Sequence, residues 1–145
     1  MSRPEPPPRS AYRTFRPITT RWMDNDVYGH VNNVVYYSFF DTVVSGHLLE
    51  AGVIQPGVSP VIGLAVNSHC NYFSQVSFPD RVTGGLRVDR IGNSSVQYGI
   101  GIFRNDEDTA AASGHFTHVY VDAASHSPVS LPTDLRAVLE ALLIA

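Results

Sequence analysis

The chain has 145 residues, of which 43% are hydrophobic and 16% charged, with a formal net charge of −3. That length suits one domain with a sizeable core, and the weak negative charge gives no general attraction to DNA, RNA or an anionic membrane. All 10 basic residues are Arg, which excludes a Schiff-base lysine, and the single cysteine, Cys70, excludes an intrachain disulfide framework or a multi-cysteine metal site.

The opening MSRPEPPPRS holds four prolines in ten residues. Proline removes backbone donors and the segment has little apolar content, so Met1–Ser10 is predicted to be a disordered arm ahead of a single domain over 11–145. No basic start leads into an apolar segment and no long apolar run follows. The expectation is therefore a cytoplasmic protein without a membrane span.

YRTFRPITT, Tyr12–Thr20, interleaves aromatic and β-branched residues with Arg and Thr and reads as a strand, placed at an edge by Pro17. The polar stretch DNDVYGHVNN, Asp24–Asn33, leads into NNVVYYSFFDTVVSGHLLEAG. That run reads as a long helix with Asn32 or Asn33 as its cap and Gly52 as its stop. Ser38, Asp41, Thr42, Ser45 and Glu50 form one narrow polar stripe, so the rest of its surface calls for burial.

Four strand-like segments follow: VIGLAVNSHCNYFSQ, DRVTGGLRVDRIG, SSVQYGIGIFRND and DTAAASGHFTHVYVDA. In the third, Val96, Tyr98, Ile100 and Ile102 share one face while Gly99 and Gly101 lie on the other. Small residues facing the long helix would let it lie close, and the pattern leaves open which face that is. LPTDLRAVLEALLIA closes the chain as a short amphipathic helix with Pro132 in its first turn. Short connections between successive strands favour antiparallel pairing. The predicted class is α+β, an antiparallel five-stranded sheet around a long central helix. One sheet covers one side of such a helix, so a second copy is expected to cover the other, as a homodimer or dimer of dimers.

Asp24-Asn25-Asp26-Val27-Tyr28-Gly29-His30-Val31-Asn32-Asn33, with Tyr36 and Asp41 on the helix, resembles the hotdog-fold thioesterases of the 4-hydroxybenzoyl-CoA thioesterase-like branch. Tyr72-Phe73-Ser74-Gln75-Val76 followed by Asp80 resembles that family's strand-end segment. The resemblance spans about Tyr12 to Ala124. It implies a hotdog fold, an acyl-CoA or acyl-carrier-protein substrate and no cofactor. Asp26 falls on the family's catalytic acid and Gly29 on its glycine. Where plant acyl-carrier-protein thioesterases carry an Asn two residues after the Asp, this chain has Tyr28.

Thioester hydrolysis needs an attacking oxygen, an oxyanion site and a thiol leaving group. Asp26 could attack directly or act as a general base on water. The first N–H groups of a helix lack intrahelical partners and suit an oxyanion. The resemblance puts that role at Asn33, and Gly29 would let the backbone approach the ligand. His30 could orient Asp26, bind substrate or protonate the thiolate. The last is the least needed, since a thiol with a pKa of roughly 8.5 leaves readily. Asp24 is read as a structural partner for loop N–H groups. Tyr36, Tyr37, Phe39 and Phe40 are possible acyl walls or ordinary core. Arg90 with Ser94 is assigned to the phosphates of coenzyme A. Asp24, Asp26 and His30 lack a recognisable metal-ligand spacing, so no metal is expected. His115 and His118, three apart on a strand, face opposite ways. Cys70 has no basic partner that would activate it.

Two other functions fit the same fold: an enoyl-CoA hydratase or dehydratase, and a non-catalytic acyl-CoA binding module. The first has an Asn-Pro between its Asp and His, which this chain lacks. The second has no use for a carboxylate beside a thioester.

Overall fold

The computed structural model describes residues 4–144. Its elements run β1 (Thr14–Ile18), α1 (Asn33–Glu50), β2 (Val61–Tyr72), β3 (Val82–Ile91), β4 (Ser95–Arg104), β5 (Ala112–Asp122) and α2 (Thr133–Glu140). The strands form one five-stranded sheet in the order β1-β3-β4-β5-β2, and every neighbouring pair is antiparallel. The sheet wraps around α1, which is the expected hotdog fold.

Alternation along the strands decides which face meets α1. Val96, Tyr98, Ile100 and Ile102 of β4 join Val82, Leu86 and Val88 of β3 in one buried cluster with Tyr36, Phe39, Phe40, Val43, Val44 and Leu48 of α1. Gly99 and Gly101 lie on the opposite face, beneath the side chains of Arg87 and Tyr12. The close approach of α1 to the sheet is made instead by Gly84 of β3, where a Cβ would run into Val43. Tyr12, Phe103 and Ala110 form a small second core on the outer face.

Both ends of α1 follow their local chemistry. Asn32 is the N-cap, its Oδ1 accepting from the Val34 N–H at 3.0 Å. Beyond the last turn, Gly52 adopts φ 75° and its N–H donates to Leu49. β1 is an edge strand, with Pro17 opposite Thr83 and, among the described residues, no strand on its other side. Pro132 immediately precedes α2 and is its N-cap. Leu135 and Leu139 of α2 are buried in the main cluster. The backbone after α2 then runs along β3, with the Val88 N–H donating to Leu142 and the Ile144 N–H to Val88.

The arm expected over Met1–Ser10 falls partly within the described residues. Met1–Arg3 lie outside the described residues. Pro7–Ala11 dock on the β4–β5 connection: the Ala110 N–H donates to Pro7, the Arg9 N–H to Asp108, and the Arg9 guanidinium to Asn105 and Glu107 carbonyls. That guanidinium also lies 4.8 Å from the Phe103 ring centre. Proline carbonyls remain good acceptors, so a proline-rich segment can be held by an edge that supplies the donors.

Candidate active site

The segment between β1 and α1 is a closed loop fixed at three depths. At its base, Asp24 is buried at 2% exposure. Its carboxylate accepts from the Arg21 N–H at 2.8 Å and from the Arg21 guanidinium at 3.0 Å. It thus has the structural role expected of it. Further out, Asn25 and Val31 bridge across the loop. At the tip, the Asp26 N–H donates to His30 at 2.8 Å and the Gly29 N–H to Asp26 at 3.0 Å. Gly29 has φ 80°, and a Cβ there would meet nothing within 4 Å. The left-handed backbone at this position favours glycine.

The chain after β2 clamps this loop from outside. The Val31 N–H donates to Val76 at 2.7 Å, Ser77 Oγ to Gly29 at 2.9 Å, and the Phe78 N–H to Asn25 Oδ1 at 3.0 Å. Arg104, at the end of β4, donates to the Gln75 carbonyl from behind.

Between loop and clamp lies a cavity of about 500 Å³, bordered by Asp26, His30, Asn33, Tyr36, Tyr72 and Gln75. That volume is within the range of small-molecule pockets. Four residues singled out in the sequence therefore meet in one place: Asp26, His30, Asn33 and Tyr36. Asp26 is half-buried. One carboxylate oxygen, Oδ1, accepts from the Tyr28 N–H at 2.9 Å, and among the described residues the other accepts no hydrogen bond.

The start of α1 distributes its donors unevenly. The Asn32 N–H is taken by Asp24, the Val34 N–H by Asn32 Oδ1 and the Val35 N–H by the Asn32 carbonyl. Among the described residues the Asn33 N–H has no partner. A helix N-terminus with an unused N–H in a cavity favours negative charge there.

The remaining predicted residues lie elsewhere. Gly29 is outside the cavity wall. Arg90 is exposed and Ser94 lies in the turn after β3. From Val82, at the cavity end of β3, to Arg90 is eight steps of about 3.3 Å, or roughly 26 Å. Within one chain the antiparallel strands carry both residues to the far end of the sheet. Tyr28, Val31, Phe73 and Ser74 complete the wall, and Tyr72, Phe73 and Ser74 come from the segment that resembles the family's strand end, to which the sequence assigns no site role. Tyr72 is 39 residues from the Asn33 carbonyl to which it donates at 3.2 Å. Only the order of strands, not spacing along the chain, brings them together.

Burial pushes the Tyr36 hydroxyl up to about 12 and the Cys70 thiol up to about 11. Cys70 is thereby kept in its unreactive thiol form. His118 is buried against Tyr98 and Phe116. His115 is stacked on His69 across the strands, ring centres 5.2 Å apart. Among the described residues no three His, Cys, Asp or Glu side chains group as a metal site, and no helix is long and apolar enough to cross a membrane.

Residues 20–139 match the profile of the thioesterase-like superfamily. The chain belongs to that superfamily. Pseudomonas aeruginosa PA5185 is similar over 97% of this chain and 99% of its own, at 50% identity and a TM-score of 0.95. PA2801, a proposed thioesterase of the same organism, is 26% identical with a TM-score of 0.78, covering 85% of this chain and 95% of its own. The uncharacterized protein YsmA of Bacillus subtilis strain 168 is 20% identical over 61% of this chain, which spans only 59% of that relative's length.

Proposed function

We propose that this protein hydrolyses the thioester of an acyl-CoA to the free acid and coenzyme A. The observation that carries this reading is that one cavity is lined by both Asp26 and Asn33, whose N–H has no partner among the described residues. Membership of the thioesterase-like superfamily supports the reaction class. In this reading the thioester carbonyl points at the Asn33 N–H, which stabilises its oxyanion. The free Asp26 oxygen attacks the carbonyl carbon or takes a proton from an attacking water. The Tyr28 N–H holds the carboxylate in place from its other oxygen. His30 and Tyr36 border the same space and are assigned to substrate contact.

A homodimer is part of the proposal. β2 is a sheet edge of 12 residues with Leu64 and Val66 at 39% and 58% exposure, and an uncovered edge of that length is prone to pair. Val27, Tyr28 and Val34, beside the cavity, are 94%, 81% and 67% exposed. A second copy would cover such apolar surface. It would also offer a route by which Arg90 and Ser94 reach a bound coenzyme A.

The test is thiol release from short, long and aromatic acyl-CoAs and from acyl carrier protein, by the native protein and Asp26→Asn. The expected result is release by the native protein and a loss of about 10²-fold or more in kcat for the folded variant. No release from any thioester would reject the hydrolase reading, and enoyl-CoA hydration by the same samples would replace it.

A further inference from the structure

Tyr72 lies at the end of β2 and lines the same cavity as Asp26 and Asn33. The phenol donates to the Asn33 carbonyl at 3.2 Å. Tyr36 meets the ring edge-on, with centres 5.1 Å apart and planes at 87°. Burial, and then the neighbouring Cys70, raise the Tyr72 hydroxyl above the ordinary tyrosine range, so it stays a donor at neutral pH.

The other bonds at this helix start are local. Asn32 caps Val34 and Val35 within three residues, and Asp24 holds Asn32. None of these bonds leads from Asn33 to the sheet. This residue and Val34 are exposed, in the turn of a helix that frays first. The Tyr72 phenol is the tie from the sheet to Asn33, whose N–H is the cavity's unused donor.

We propose that Tyr72 is a positioning residue: it fixes Asn33 against the end of β2, so that the Asn33 N–H keeps its aim at the thioester carbonyl. The inference rests on the reading of that N–H as the oxyanion donor. Oxyanion stabilisation depends on a donor already oriented before reaction, so loosening Asn33 lowers turnover more than binding.

Tyr72→Phe keeps the ring and its Tyr36 contact and removes only the hydroxyl. On an acyl-CoA that the native protein hydrolyses, kcat is expected to fall about tenfold with KM unchanged. In substrate-free protein, the 15N order parameters of Asn33 and Val34 are expected to drop while those of the middle of α1 stay the same. Native turnover in Tyr72→Phe, or unchanged order parameters at Asn33, would overturn the role of Tyr72 and leave the hydrolase reading intact. Absence of thiol release by the native protein would instead reject the hydrolase reading, and with it any role of Tyr72 in that reaction.

Discussion

The N–H of Asn32 donates to the carbonyl of Asp24 at 2.9 Å. This bond joins the base of the carboxylate-bearing loop to the cap of the central helix. Asp24 is buried while Asp26, two residues on, faces the cavity. One carboxylate holds the loop's shape, and the other is presented by it.

Asp24→Ala is expected to lose about 1–3 kcal/mol of stability in urea unfolding. It leaves the Arg21 N–H without its acceptor and a void at a buried position. The ion-pair share is small because Arg21 is 64% exposed. Asp24→Asn, which keeps an acceptor oxygen, should lose less. Equal losses in both variants would mean that charge, not hydrogen bonding, holds the loop.

Asn32→Ala should cost about 1 kcal/mol, the usual worth of a side-chain cap. Asn32→Asp should restore most of it, since a carboxylate both accepts from the Val34 N–H and favours a helix N-terminus. Thermal unfolding of the three proteins checks this, and a Tm for Asn32→Ala equal to native would exclude Asn32 as the cap.

Much of this architecture is legible in the sequence because it rests on local rules. The α1 cap, the Gly52 stop, Pro17 at an edge and the alternation in β4 each need only a few neighbouring residues. Clustering of Asp26, His30, Asn33 and Tyr36 is legible for the same reason: all lie within 11 residues of one another. Contacts set by topology are not. Tyr72 reaches Asn33 only because β2 ends where α1 begins, and Arg90 with Ser94 is carried away because β3 runs from the cavity. Met1–Ser10 read as a disordered arm, yet Arg9–Ala11 form a short 3-10 turn, and the carbonyls that accept from the Arg9 guanidinium belong to residues about a hundred positions away.

Gly84 of β3 lets Val43 of α1 pack directly against the strand, so Gly84→Ala should overpack the core. A new methyl would run into Val43 and lie 3.1 Å from Ile18 Cδ1. The expected cost is about 1–3 kcal/mol. Val43→Ala alone leaves a cavity and is also destabilising. The double variant should be more stable than the sum of the two losses predicts, because each change relieves the other. Strict additivity in a chemical-unfolding cycle would show that the contact is not what limits the helix–sheet distance.

His118 sets a pH dependence whose sign follows from its surroundings. It sits on the α1-facing side of β5 among Phe116, Tyr98 and Tyr120. Burial lowers its pKa from the ordinary 6.5, and Asp41 of α1 opposes that shift. A base whose folded-state pKa is depressed binds fewer protons folded than unfolded between the two values. Its contribution to stability is therefore full above about pH 6.5 and is lost as the pH falls through the lowered folded value. His47 and His115 are lowered as well, also by burial, and add to the same slope. The unfolding free energy of the native protein is expected to decline as the pH is taken below 6.5. In His118→Phe, which keeps an aromatic ring among aromatic neighbours, that decline should be shallower over the same window. Parallel pH profiles for the two proteins would mean that His118 takes no part in the acid loss.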